Sequence, residues 1–190
     1  DSDKPVYGTR SPLRSWNPLW ANAEVYWKTA QDAWHAKRWR DKLLVWLKPP
    51  GWRPADVAAR FPKPDFTMPT ERFDPPLSWP LKLYVLVQFA LLLGMATQFL
   101  GMAGSAGFSA LLLYALYLVV SLCVIGALME GRRWAVWAEG VRVLATAAVP
   151  LLSGRWFGIG HLDGHIALAI AVVFGLSALA LPWLGGLRPS

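Results

Sequence analysis

Apolar residues change their pattern twice along this chain. In the first part they recur at helical spacing between charges. From Leu81 onward they run almost unbroken, and a proline-rich stretch separates the two regimes. Asn17-Pro18 opens the first regime, with asparagine as a cap and proline preset for a first helical turn. Trp20, Trp27 and Trp34 then recur every seven residues with Ala23 and Ala30 between them, which predicts an aromatic stripe on one helix face. Lys28, Gln31, Asp32 and Lys37 supply the polar side. A second helix, AKRWRDKLLVWL (residues 36–47), gathers Trp39, Leu43, Trp46 and Leu47 on one face and Arg38, Arg40, Asp41 and Lys42 on the rest. Pro49-Pro50-Gly51 stops it, and Pro54 restarts a short helix, PADVAARF. Residues 62–80 hold so much proline that they read as an extended connector.

The second regime begins with two apolar runs, residues 81–100 and 108–129, flanking the small-residue loop GMAGSAG. Each meets the roughly 20 residues needed to cross a bilayer, and the short loop predicts an antiparallel hairpin. A charged turn, Glu130-Gly131-Arg132-Arg133, leads to a third apolar helix, Trp134 to Leu152, which Pro150 ends or kinks. Within it Glu139 and Arg142 are three apart and share a face. Charges at membrane depth are costly, so they pair or face the bundle interior. This intramembrane ion pair is expected to lock helices together near the interface; a transport or catalytic role is the competing possibility. Ser153 to Gly164 is a glycine-rich turn, and His165 to Leu184 is the last run, closed by Gly185-Gly186-Leu187-Arg188. The pattern predicts an all-α membrane protein: N-terminal amphipathic or interfacial helices, then a bundle of four transmembrane helices. It divides the chain into residues 1–61, an amphipathic segment, 62–80, the connector, and 81–186, the transmembrane block.

Composition agrees, since the chain is 55% hydrophobic and only 16% charged, too apolar for an average soluble domain. A net charge of +7 would suggest nucleic acid in a soluble protein, but here lysine and arginine fit a cytoplasmic membrane face and anionic lipid, and no nucleic-acid partner is expected. The 12 tryptophans suit the membrane interface. Trp20, Trp27, Trp34, Trp39 and Trp46 are therefore the lipid or interface candidates, against the alternative of helices packed on a protein neighbour. Residues 1–80 carry 13 Lys and Arg against 9 Asp and Glu, which assigns them to the cytoplasmic side. Arg132, Arg133 and Arg188 fall on that side too, and the loops 101–107 and 153–164 on the other. The chain starts at Asp1 without a signal-peptide pattern and reads as the C-terminal piece of something longer, or a processed product.

Candidate chemistry is sparse. HLDGH places His161 and His165 at a spacing that could serve a metal on a helix, but the glycine and loop context oppose that, and no third ligand stands nearby in sequence. Cys123, the single cysteine, reads as inert packing. Gln88 and Gln98 suit hydrogen bonds between helices. No strands are expected, and with them no phosphate-cradling loop. The residues alone specify a membrane-anchored bundle with a basic collar and no catalytic or metal site.

VYGTRSPLRSWNPLWAN (Val6 to Asn22) followed by DAWHAKRWRDKLLVWLKPPGWRP (Asp32 to Pro54) resembles the region after the last histidine cluster in the sterol desaturase / fatty acid hydroxylase superfamily, in its bacterial, alkylglycerol monooxygenase-like branch. The resemblance covers the first third of the chain closely and the later helices in character. It implies a parent enzyme in the bacterial inner membrane that uses di-iron and O₂ to oxidise a C–H bond of a lipid, with an electron donor the sequence does not specify. The family's histidine clusters are not in these residues, so no iron ligand is carried over, and this segment's share is membrane anchoring and lipid access. A non-enzymatic scaffold or accessory module and, further off, a small transporter using Glu139 and Arg142 are the competing classes. Single cysteines placed in loops 101–107 and 153–164 of a Cys123→Ser background should react with an impermeant thiol reagent from one side of the membrane, and a cysteine near Arg132 only from the other.

Overall fold

The structure, a computed structural model, describes residues 13–63, 73–157 and 159–184. The beginning of the Val6 motif, residues 64–72 of the proline-rich connector and the closing Gly185–Arg188 lie outside the described residues. The chain forms two compact units, Asp1–Ser15 with Leu19–Phe73, and Trp16–Pro18 with Asp74–Ser190.

Helix α1 spans Pro18–His35, α2 Trp39–Leu47 and α3 Ala55–Arg60. The Asn-Pro start, the stop at Pro49-Pro50 and the short restart after Pro54 all appear as expected. Their common core is small, with Ala36, Val45, Pro54 and Val57 buried. Polar ties carry the rest. The Arg53 guanidinium clasps Asp32 with two bonds of 2.7 Å each, and its third nitrogen donates to the Phe61 carbonyl at 2.8 Å. Such a fork matches a carboxylate and adds direction to the charge attraction. The bond to Asp32 raises the pKa of Arg53. Arg60 donates to the His35 carbonyl, placing a cation at the negative end of α1. The Lys37 amide donates to Asp56 at 3.0 Å and holds that carboxyl below its ordinary range.

In the second unit α4 spans Trp79–Met102, α5 Phe108–Met129, α6 Arg133–Ser153 and α7 Gly164–Ala180, the last extended by a 3-10 turn, Leu181–Trp183. Ser78 caps α4 by accepting from the Leu81 amide at 3.4 Å, with proline in the first turn. All four helices are long and apolar enough to cross a membrane. Successive helices pack against each other in an up-and-down bundle. The core contains Tyr84, Val85 and Leu92 of α4, Tyr114, Ile125 and Leu128 of α5, Val143 of α6 and Phe174 of α7. The outward faces, such as Leu86, Phe89, Leu112, Leu116, Leu168 and Val172, are equally apolar and exposed. A helix that is apolar all round and closes its own backbone hydrogen bonds is suited to hydrocarbon, and the fold is that of an integral membrane helical bundle.

Two details depart from the sequence expectations. Helix α6 continues through the buried Pro150 to Ser153 and ends at Gly154, whose φ of 62° supplies the left-handed cap. The glycine-rich turn contains a two-stranded antiparallel hairpin, β1 (Arg155–Trp156) and β2 (Ile159–His161), too short for any periodicity to announce. Phe157 at its corner has a φ of 48°, a region that costs a non-glycine residue roughly 1–2 kcal/mol. Its ring stacks on Tyr114 at 4.2 Å and meets Tyr117 at 5.0 Å, contacts that offset the strain.

The segment before α1 is fixed on α5. The Trp16 amide donates to Glu130 at 2.9 Å, and Cys123 Sγ lies 3.7 Å from Asn17 Oδ1. The approach is close enough that a Cβ on Gly126 would stand 2.6 Å from the Trp16 carbonyl oxygen. That atom is backbone and cannot swing aside. Gly126→Val should therefore lower the thermal unfolding midpoint in detergent by about 3–10 °C, the equivalent of roughly 1–3 kcal/mol of overpacking. Gly175→Ala, where an added Cβ meets nothing within 4 Å, should not lower it.

Candidate functional site in the membrane bundle

The four membrane helices converge on one polar cluster. Arg142 donates to Glu139 through Nε at 2.8 Å and Nη2 at 2.6 Å, closing the pair within a single turn of α6. Glu139 is wholly buried and Arg142 is 7% exposed. Neighbouring helices satisfy what remains. Tyr84 of α4 donates its hydroxyl to Glu139 at 2.7 Å. Arg142 also donates to Gln88 of α4 at 2.7 Å and to Tyr117 of α5 at 3.2 Å. Gln88 passes the chain on to Ser177 of α7 at 2.8 Å. Tyr117 and Thr146 share a further bond of 2.8 Å, and the guanidinium carbon lies 6.0 Å from the Phe174 ring. At 1.5 Å rise per residue, Arg142 stands roughly 13 Å along α6 from its start, near the middle of a ~30 Å core. The pair is buried in the bundle interior, where it ties α6 to its neighbours.

Two cavities lie between this cluster and the hairpin end. One of about 400 Å³ opens between α4 and α7; Leu91, Gly94 and Gln98 form one wall, Ile170 and Phe174 the other, and Trp156 stands at its end. The second, about 90 Å³, is enclosed by Tyr117, Val149, Pro150 and Phe157. The larger falls within the usual range of ligand pockets. Two of its lining residues carry polar groups: the Gln98 amide oxygen accepts from the Tyr114 hydroxyl at 2.9 Å, and the buried Trp156 indole nitrogen has no hydrogen-bond partner. Glu139 and Arg142 line neither cavity.

The five tryptophans singled out in the sequence lie in the first unit, and all are exposed, Trp34 and Trp39 by 80% each. Lys42 stands over both rings, 5.7 Å from Trp34 and 5.2 Å from Trp39. Helix α2 buries Val45 and turns Trp39, Leu43, Trp46 and Leu47 outward. His161 and His165 do not share a helix face: His161 is on β2, and His165 opens α7, where Asp163 caps its amide at 2.9 Å. Among the described residues no three His, Cys, Asp or Glu side chains come together to hold a metal ion. These residues do not fit the iron that the resemblance implies. Tyr84, Tyr117 and Ser177 escaped the sequence analysis. Their signal was faint: Tyr84 and Gln88 fall four apart on the buried stripe of α4.

A membrane bundle of this kind, with a buried polar lock and an amphipathic leader, defines the class before any comparison. Residues 81–153 match the family model described as the alkylglycerol monooxygenase C-terminal domain. Alkylglycerol monooxygenase of Homo sapiens is 27% identical over 178 residues, covering 93% of this chain and 39% of that protein. The Danio rerio protein is 29% identical over 148 residues, with 75% and 32% covered, and that of Xenopus tropicalis 26% over 149, with 76% and 33%. The chain therefore spans less than two fifths of the length of these relatives. No solved structure matches it. Over these stretches the chain is similar to the C-terminal portion of alkylglycerol monooxygenase.

Removing one member of the buried pair strands the other charge in hydrocarbon. Arg142→Leu or Glu139→Leu should each destabilise the bundle by about 3–5 kcal/mol. The double substitution should recover a large part of that loss in a double-mutant cycle read by thermal or denaturant unfolding. Glu139→Gln, which keeps an acceptor for Tyr84, should fall between wild type and Glu139→Leu.

Proposed function

We infer that this chain is the C-terminal membrane part of a lipid-oxidising monooxygenase, and that it supports anchoring and lipid access while the chemistry resides on other residues. The observation that carries this is the match of the membrane block to the C-terminal domain of alkylglycerol monooxygenase. The substrate class is an alkylglycerol or a related glycerol lipid, taken from the names of the relatives. The parent enzyme is iron-dependent, with two irons held by histidine clusters outside these residues.

Residues 1–80 lie on the cytoplasmic side of a bacterial inner membrane, supported by their excess of lysine and arginine. The exposed Trp20, Trp27, Trp34, Trp39 and Trp46 rest at the interface, where an indole keeps its body in apolar surroundings and its N–H near water. The cation of Lys42 beside two of these rings suits an anionic lipid surface. The charged pair of α6 is a structural lock, since every hydrogen-bonding group around it is engaged.

The gene product carrying the preceding histidine clusters should contain iron and convert an alkylglycerol in an O₂-dependent reaction. The 190-residue chain purified from the same membranes should do neither. Stoichiometric iron or lipid turnover in the shorter chain, measured by elemental analysis and product mass spectrometry, overturns the assignment.

A further inference from the structure

Helix α2 presents most of its large apolar residues to the outside. Val45 is buried, while Trp39, Leu43, Trp46 and Leu47 are exposed along about 12 Å of helix. At the start of this face Trp34 of α1 and Trp39 of α2 frame one cation. The Lys42 ammonium stands 5.7 Å from the first ring and 5.2 Å from the second. It donates to the Trp34 carbonyl at 3.3 Å, one of the carbonyls in the last turn of α1 that the helix itself does not satisfy. An ammonium has three N–H donors, and this is the one hydrogen bond Lys42 makes among the described residues, so two donors remain for a ligand. Arg38, Arg40 and Lys48 bring further exposed cations to the same helix and its ends, against one acid, Asp41.

We propose that Lys42, framed by Trp34 and Trp39, binds the headgroup phosphate of an anionic phospholipid at the membrane surface. Charge complementarity selects that occupant: the excess of cations on α2 matches a surface of net negative charge. The setting of the lysine separates lipid from protein. Cores of protein interfaces are depleted of lysine, whereas the headgroup region takes indoles and ammonium groups side by side. Leu43, Trp46 and Leu47 can then enter the acyl boundary while the ammonium stays at the level of the phosphate. This site rests on the interfacial reading of the tryptophans given above and adds the class of headgroup they meet.

The test uses the whole chain in bilayer nanodiscs, either of phosphatidylcholine alone or of phosphatidylcholine with phosphatidylglycerol. Part of the phosphatidylcholine is brominated on its acyl chains, and a fluorophore quenched by bromine is attached through Leu47→Cys in a Cys123→Ser background. Quenching should be strong in the mixed discs, weak in phosphatidylcholine alone, and should fall as sodium chloride is raised. Lys42→Gln should weaken docking about fivefold, read as a higher phosphatidylglycerol content at half-maximal quenching, and Lys42→Arg should retain it. The same fluorophore attached through Leu112→Cys, on the exposed apolar face of α5, should be quenched in every disc and report an inserted bundle. Quenching that is equal in both lipids and indifferent to salt overturns the anionic site and leaves the interfacial reading standing. Undiminished docking of Lys42→Gln overturns the assignment to Lys42. Quenching at position 47 in neither lipid overturns both readings and gives the face to a protein partner.

Discussion

The buried Glu139–Arg142 pair sets the rotation of every membrane helix. In hydrocarbon there is no hydrophobic force to draw one apolar helix to another, so packing and polar contacts decide which faces meet. Two charges at this depth cost several kcal/mol each unless they are paired and their remaining hydrogen-bonding groups are filled. Tyr84 and Gln88 must then turn inward on α4, Tyr117 on α5 and Ser177 on α7. Each of these residues fixes the angular position of its helix, and the apolar core of Val85, Leu128, Val143 and Phe174 fills in around the arrangement.

The same constraint explains why the bundle is uneven along its length. Polar ties join α4 to α7 at Gln88 and Ser177 and their flanks at Ser78 and Leu184, and the larger cavity lies beyond them. At the hairpin end aromatic residues make the contacts. Trp156 and Phe157 pack with Tyr114 in edge-on and stacked contacts, which join the hairpin to α5. A strained φ at Phe157 is the local cost of turning that ring into the bundle.

Much of the architecture was legible in the sequence because bilayer thickness imposes a length on apolar runs. The four spans, the Asn17-Pro18 start and the shared face of Glu139 and Arg142 follow from spacing alone. What completes the ion pair was not legible. Tyr84, Tyr117 and Ser177 are ordinary hydroxyl residues until the tertiary arrangement shows which helix faces which. Gly126 looked like one more small residue in an apolar run, and only the Trp16 carbonyl beside it gives it a role. The HxxxH spacing in HLDGH presumes one continuous helix, and Asp163 caps α7 between the two histidines instead. The hairpin strands are too short to carry a periodic signature.

The Trp16 contact has a consequence for how the chain is held. Residues 16–18 belong to the membrane unit, and so does everything from Asp74 onward. Residues 19–73 are therefore an excursion that leaves the membrane unit and returns to it, attached at both ends. The first attachment joins Trp16 to Glu130, 114 residues further along, so it cannot form until α5 has been made and inserted. Closing so long a loop carries an entropic cost that grows only slowly with length. Once closed, residues 19–73 form a loop whose two ends both belong to the other unit.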